Sequence, residues 1–144
     1  MTNVKSAKGL ALEGLTALAI LAALLFLFST GLWISIPQSS RLQVGDAVVV
    51  TLVALFIYKS EKLVPPLAAV VSLGLQIDVQ KVSIALQGFM RFIYLAVAYF
   101  ALRRTSLSLL TMALDSANAG VVYDAVFTVL ILFNVYDTVR RAVR

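Results

Sequence analysis

The sequence predicts an all-α integral membrane protein, built as a four-helix bundle, and two observations carry this prediction. Of its 144 residues, 61% are hydrophobic and only 13% are charged. Several apolar runs also reach the ~18 residues that separate a membrane-spanning helix from a buried core helix. Because each span takes ~20 residues plus a connection, residues 1–144 fit a single transmembrane domain with no soluble domain. We therefore expect a multi-pass protein of the cell membrane, surrounded by the lipid bilayer.

Four apolar runs have the length of spans. The first follows Lys5 and Lys8, and it is far longer than the ~7–15 apolar residues of a signal peptide, so it is interpreted as a retained span. Trp33 near its far end fits an interfacial anchor. The predicted spans cover residues 10–36, 47–64, 79–102 and 121–139.

The chain between the second and third spans carries stop and start signals. Pro65 and Pro66 are predicted to end the second helix, because proline has no N–H to donate and disfavours helical geometry in the residue before it. Residues 67–77 would measure only about 16 Å as a helix, which is too short to cross a bilayer. We expect a short interfacial or re-entrant segment there, followed by a third helix with Asp78 as its N-cap.

The other helix ends have their own signals. Asp46 is a candidate N-cap for the second helix. Arg103 and Arg104 mark the predicted end of the third helix, and the turn-forming residues 115–120 are expected to separate it from the fourth.

The basic residues predict the orientation. With four spans and the N-terminus inside, more of them fall on the cytoplasmic side, which favours cytoplasmic N- and C-termini. The outer set is then Arg41, Arg103 and Arg104, and the cytoplasmic set is Lys5, Lys8, Lys59, Lys62, Lys81, Arg140, Arg141 and Arg144.

The missing residue types exclude most site chemistry. The chain has no His and no Cys, which removes imidazole bases, thiolate nucleophiles and nitrogen or sulfur metal ligands. We expect no enzyme, no cofactor and no metal site. The net charge of +5 does not indicate nucleic acid, because the basic residues cluster at helix ends instead of forming a patch with interleaved aromatic residues.

A charge in the middle of the third span is the strongest single feature. A charged side chain at the bilayer centre costs at least ~2.5 kcal/mol on insertion scales, so Arg91 needs a partner. It belongs to a polar stripe of residues that recur at steps of three and four and therefore share one helix face. This face must meet other helices, a ligand or water, and interhelical hydrogen bonding is the preferred interpretation. The stripe consists of Gln80, Ser83, Gln87, Arg91 and Tyr94.

Two carboxylates are candidate partners for Arg91 in an intramembrane ion pair. A helical side chain leans toward the N-terminus of its helix, so Arg91 should reach toward the cytoplasmic leaflet. Glu61 and Glu13 both lie on that side, some 5 Å deep at 1.5 Å per residue. We favour Glu61, because spans that are neighbours in sequence tend to be neighbours in space. Glu13 is the alternative.

The same residues carry a family resemblance. Residues 56–61, Phe-Ile-Tyr-Lys-Ser-Glu, close the second span, and residues 88–93, Gly-Phe-Met-Arg-Phe-Ile, lie inside the third. Together with the long first span and the polar loop after it, this layout resembles the phosphate-starvation-inducible PsiE membrane family. The resemblance implies a small integral membrane protein with a link to phosphate limitation.

These observations favour a non-catalytic membrane protein, accessory or regulatory in role, whose polar stripe holds the bundle together. One alternative is an oligomeric channel or transporter subunit in which Gln80, Gln87, Arg91 and Asp124 line a path for an anion or small polar solute. Another is a structural subunit of a larger membrane or filament assembly. Small residues in the third span permit close helix contact, so we expect a homo-oligomer or association with other membrane subunits.

The orientation can be tested with single cysteines, because the chain has none of its own. Cysteines at Ser40 and Ser116 should react with an impermeant maleimide added outside intact cells. A cysteine at Ser60 should be protected, and its labelling from outside would contradict the orientation with both termini inside.

Overall fold

A computed structural model describes residues 4–30 and 44–143, and these ranges form four helices. The all-α prediction is confirmed for this part of the chain. The predicted Trp33 anchor and the end of the first span at residue 36 lie outside the described residues. The helices are α1 (Val4–Ser29), α2 (Val44–Leu75), α3 (Val79–Leu110) and α4 (Ser116–Val143).

Three of the four helices are long and apolar enough to cross a membrane, by length and composition. They are α1 over Ser6–Ser29, α3 and α4. α2 differs because Lys59, Glu61 and Lys62 lie at its centre. A helical protein embedded in a membrane is therefore supported, whereas the second span and the orientation remain predictions.

α2 runs through Pro65 and Pro66 for nine further residues, so the predicted stop at the prolines is wrong. A helical residue donates its N–H to the carbonyl four residues earlier, and proline has no N–H to donate. The Glu61 carbonyl therefore lacks the donor at Pro65, and the Lys62 carbonyl lacks the donor at Pro66. Membrane helices tolerate this loss where neighbouring helices pack around the interruption, and the two residues before the prolines are buried in the core. Residues 67–75 are the last turns of α2, and no separate re-entrant segment is shown there.

The connection from α2 to α3 is tight. Gln76 adopts a left-handed conformation with φ of 55°, and the Ile77 N–H donates to the Ser72 carbonyl at 3.3 Å. This pattern is the Schellman motif that ends many helices. Two residues after the turn, Asp78 caps α3 by accepting the Gln80 N–H at 2.9 Å, which confirms the predicted N-cap.

α2 also starts earlier than predicted. It begins at Val44, so Asp46 lies inside its first turn instead of capping it. A carboxylate there is favoured by the positive end of the helix dipole. The Thr105 hydroxyl of α3 donates to Asp46 Oδ1 at 2.7 Å, and the two helices are thereby joined at this end.

The boundary between α3 and α4 is shifted as well. α3 continues past Arg103 and Arg104 to Thr111, its C-cap, because arginine is a good helix former and a basic pair does not end a helix. α4 begins at Ser116. Most of the predicted turn at 115–120 is therefore the first turns of α4.

Helices that follow each other in the chain pack against each other, and α1 also packs against α3. Within the described ranges, α4 packs against α3 alone. The helical bundle is confirmed, with α1, α2 and α3 as its core and α4 on the outer side of α3. The buried core consists of Leu18, Leu25, Val49, Val53, Phe56, Leu63, Val64, Met90, Ala98 and Ala101.

Ser60 is fully buried, and its hydroxyl donates to the Phe56 carbonyl at 2.8 Å. A cysteine at Ser60 would therefore be shielded by protein in either orientation. Exposed Lys81, near the start of α3, is the better labelling site for that end of the bundle. Exposed Ser116 remains suitable for the opposite end, and Ser40 lies outside the described residues.

α3 and α4 meet at Gly88. This residue is buried, and its carbonyl accepts a hydrogen bond from Asn134 Nδ2 at 3.1 Å. A Cβ on Gly88 would collide with the Thr138 side chain, including its Cβ at 3.0 Å. A glycine here allows the two backbones to approach, as small residues do between membrane helices.

Gly88→Ala should lower the stability of the α3–α4 pair by about 1–3 kcal/mol, because the added methyl group overpacks the contact. Thermal unfolding in detergent, followed by circular dichroism, measures this loss. Gly120→Ala in α4 is the control, since a Cβ there meets nothing within 4 Å and alanine favours helix. Equal melting temperatures for the two variants would contradict the close approach at Gly88.

Candidate functional site

Arg91 joins three helices. Its Nη1 donates to Asp137 Oδ2 of α4 at 3.2 Å, and its Nε lies 3.6 Å from Glu61 Oε1 of α2. The guanidinium is planar and carries five N–H groups in a fixed fork, so it can meet carboxylates on two sides at once. Arg91 on α3 therefore links the helices that flank it.

Asp137 is bound by two arginines. Besides Arg91, it accepts from Arg141 one turn later in α4, with Nη2 at 2.8 Å from Oδ2 and Nε at 3.1 Å from Oδ1. Such two-point contacts between arginine and a carboxylate are among the stronger hydrogen bonds in proteins. Arg141 Nη1 also donates to Gln87 Oε1 of α3 at 3.3 Å. The end of α4 is thus fixed to α3 at two points.

We refer to Glu61, Arg91, Asp137 and Arg141 as the charge layer. Its two positive and two negative charges cancel. The side chains of Arg91 and Asp137 are 27% and 21% exposed, against 38% for Glu61 and 46% for Arg141. Since attraction between charges strengthens as water is excluded, and this pair is also the closer one, Arg91–Asp137 is the stronger of the two links made by Arg91.

Several predicted site residues are brought together here. Glu61 lies beside Arg91, and the Tyr94 hydroxyl donates to Glu61 Oε1 at 3.3 Å. Gln87 meets α4 through Arg141. Within the described residues, the side chains of Gln80 and Ser83 do not join the charge layer.

Glu13, the alternative partner, lies elsewhere. Together with Gly14, Lys59, Lys62 and Pro66 it lines a groove between α1 and α2, which we call the α1–α2 groove. In the described part of the chain, the ion pairs of Arg91 are those with Glu61 and Asp137.

Asp137 is the main residue that the sequence analysis missed. It lies near the end of the fourth predicted span, where a carboxylate beside arginines suits the headgroup region. Two signals could have found it. One is the spacing of four residues between Asp137 and Arg141, which favours an ion pair on a helix. The other is the repeated Tyr-Asp pair at residues 123–124 and 136–137, because both aspartates contact α3.

A second polar cluster lies toward the other end of the bundle. The Tyr99 hydroxyl of α3 donates to Asp124 Oδ1 at 2.8 Å, and the Tyr123 hydroxyl donates to the Tyr99 carbonyl at 2.7 Å. The rings of Tyr99 and Tyr123 stack with centroids 5.4 Å apart, and Phe127 packs against both. This cluster is the counterpart of the charge layer on the same pair of helices.

The two polar levels are too close together to flank an ordinary bilayer. Asp124 and Asp137 are thirteen residues apart on α4, which corresponds to about 20 Å along a helix. The hydrocarbon core of a bilayer is ~30 Å thick. At least one of the two levels therefore lies within the hydrocarbon region, or the bilayer thins around the protein.

Asn134 carries an unused polar atom. Its side chain is buried, its Nδ2 bonds the Gly88 carbonyl, and its Oδ1 has no hydrogen-bond partner among the described residues. The described residues also contain no group of three or more carboxylates that could hold a metal ion. The charge layer and the Tyr99–Asp124 cluster are sets of hydrogen bonds and ion pairs between helices.

Asp137→Asn should lower the free energy of unfolding by about 2 kcal/mol, because hydrogen bonds to charged groups contribute ~1.5–3 kcal/mol. Glu61→Gln should lower it by only about 1 kcal/mol, because Glu61 is more exposed and lies farther from Arg91. Double-mutant cycles of each variant with Arg91→Leu, read from thermal unfolding, measure the two couplings. Arg140→Gln is the control, because Arg140 is exposed and forms no ion pair with described residues. Additivity within ~0.5 kcal/mol in both cycles would show that Arg91 is coupled to neither carboxylate.

Comparison with known proteins adds no relative to this picture. No family model matches the sequence, no curated protein is detectably similar to it, and no solved structure resembles the fold closely enough to match. The PsiE-like resemblance therefore remains a prediction.

Proposed function

We propose that this protein is a non-catalytic helical membrane protein, accessory or regulatory in role, in which the charge layer fastens α2, α3 and α4 to one another. The observation that carries the proposal is the position of Arg91, which meets a carboxylate from each flanking helix. An arginine placed in this way uses its charge to hold helices together.

The charge balance supports a structural role. Asp137 is bound by two arginines, Glu61 is bound by Arg91 and Tyr94, and the four formal charges cancel. A path that selects an anion or a small polar solute needs charged or polar groups that face the passing solute. Here Arg91 and Asp137, the more buried members of the charge layer, face neighbouring helices instead, which favours the structural role over conduction.

One observation favours an oligomeric assembly as a second candidate. The side chains of Glu61 and Arg141 are 38% and 46% exposed on the single chain. A charge exposed to hydrocarbon is costly, so such groups normally face a bundle interior or water. A second copy or another membrane subunit against this side would complete their surroundings, and an oligomer could then enclose a polar path. This alternative covers both a channel subunit and a subunit of a larger membrane or filament assembly.

The link to phosphate limitation is a further part of the proposal, and it rests on the PsiE-like layout of the second and third spans. Conditions of low phosphate are accordingly those in which we expect the protein to act. No residue of the charge layer requires phosphate, so the structural role does not depend on this link.

Gln87→Leu separates the structural role from conduction. If Gln87 only joins helices, the variant loses its single hydrogen bond to Arg141, and interhelical hydrogen bonds in membranes average ~0.6 kcal/mol. We expect a small fall in melting temperature and no measurable flux of phosphate, chloride or cations in proteoliposomes, for wild type or variant.

The matched control is Ser83→Ala, which alters the same helix face without removing a hydrogen bond to α4. A wild-type protein that conducts, together with a stable Gln87→Leu variant whose flux or selectivity differs from that of Ser83→Ala, would overturn the structural proposal in favour of the channel.

A further inference from the structure

Two lysines at the centre of α2 are not used by the charge layer. Lys59 and Lys62 are three residues apart and therefore lie on the same side of the helix. Both are exposed, and neither forms an ion pair with a described residue. The Lys62 ammonium lies 4.5 Å from the ring centroid of Tyr58, which orients it without neutralising it. Within the described residues, these two ammonium groups are therefore not neutralised by a salt bridge.

Both lysines line the α1–α2 groove, which has a volume of about 280 Å³. Its walls are apolar, with Leu10 and Ala17 from α1 and Pro66 from α2. At Gly14, the absence of a side chain lets Leu63 of α2 pack against α1, because a Cβ there would meet the Leu63 side chain. The groove therefore combines two ammonium groups with a hydrocarbon surface.

Exposed apolar side chains flank the groove. Leu10, which lines the groove, is 55% exposed on α1, and Leu55 is 44% exposed on α2, one turn before Lys59. Acyl chains can cover these apolar side chains, since lipid is as apolar as leucine. An occupant with an anionic head and hydrocarbon tails would satisfy both parts of the groove.

We propose that the α1–α2 groove binds the headgroup of an anionic phospholipid, with its phosphate held between Lys59 and Lys62. Basic pockets between membrane helices bind anionic headgroups in this way. The two lysines and Glu13 give the groove a net charge of +1, which complements a headgroup of net charge −1 such as phosphatidylglycerol. This inference needs the chain to lie in a membrane, and it does not depend on the role proposed for the charge layer.

Lipid binding to the purified full-length chain tests the proposal. Native mass spectrometry of the detergent-solubilised protein, titrated with phosphatidylglycerol or phosphatidylcholine, gives the two affinities. We expect wild type to prefer phosphatidylglycerol. Each lysine beside an anionic headgroup strengthens binding about fivefold, so Lys59→Gln/Lys62→Gln should weaken phosphatidylglycerol binding roughly 30-fold.

The matched control is Lys8→Gln/Arg140→Gln, which removes the same two charges from exposed positions at the same end of the bundle, outside the groove. This variant should keep the preference of wild type. An equal loss in both double variants would overturn the proposal, because the attraction would then come from net charge alone.

Glu13→Gln supplies a test of sign. Removing a negative charge from the groove should strengthen phosphatidylglycerol binding, whereas weaker binding would mean that the groove recognises a cationic group and would overturn the proposal.

Inorganic phosphate separates the two sources of the anion, the lipid headgroup and free phosphate. If it raises the melting temperature as much as phosphatidylglycerol does at equal concentration, the ligand is free phosphate and the lipid is excluded.

A measurement on the wild-type chain covers the case in which the lysine variants fail to fold. Photoreactive phosphatidylglycerol, cross-linked in liposomes and mapped by peptide mass spectrometry, should label α1 and the centre of α2. Labelling confined to α3 and α4 would overturn the proposal.

Discussion

The structure depends on one constraint: the guanidinium of Arg91 lies in an apolar helix, so carboxylates at the same level of the bundle must neutralise it. Arg91 is twelve residues from Arg103, about 18 Å along α3, so it cannot reach one headgroup region while Arg103 occupies the other in a bilayer of ordinary thickness. The protein supplies Asp137 at 3.2 Å and Glu61 at 3.6 Å instead. Because these carboxylates come from different helices, neutralising Arg91 also fixes how α2 and α4 are placed around α3.

α4 illustrates how steric and electrostatic determinants coincide. Within the described residues this helix packs against α3 alone, so its position must be fixed by that one interface. Gly88 faces Asn134 and Thr138, and Arg91 meets Asp137 at the same level. The close backbone approach brings the aspartate within reach, and the ion pair fixes the translation of the helix along α3. The stacked tyrosines toward the other end add a second point of contact, which fixes its rotation.

The helices, the cap at Asp78 and the position of Arg91 followed from the sequence because each depends on local pattern: apolar length, turn chemistry and a charge in an apolar run. The ends of α2 and α3 did not, because Pro65 and the arginines after residue 102 are signals whose effect depends on neighbouring helices. Asp137 was missed for a related reason. Its distance from Arg91 depends on how deeply α4 is set against α3, and this is decided by Gly88, a residue that carries no charge and no periodic signal.

The centre of α2 combines two unusual features, a pair of prolines and several charged side chains. Pro65 and Pro66 leave the carbonyls of Glu61 and Lys62 without their helical donors, on the same turns that carry the charged side chains. Backbone and side-chain polarity is therefore concentrated at one level of this helix. Polar backbone within a membrane is tolerated where protein, water or a polar ligand satisfies it. The charge layer satisfies one side of this level through Arg91, and a lipid headgroup in the α1–α2 groove would satisfy the side that the protein itself leaves open.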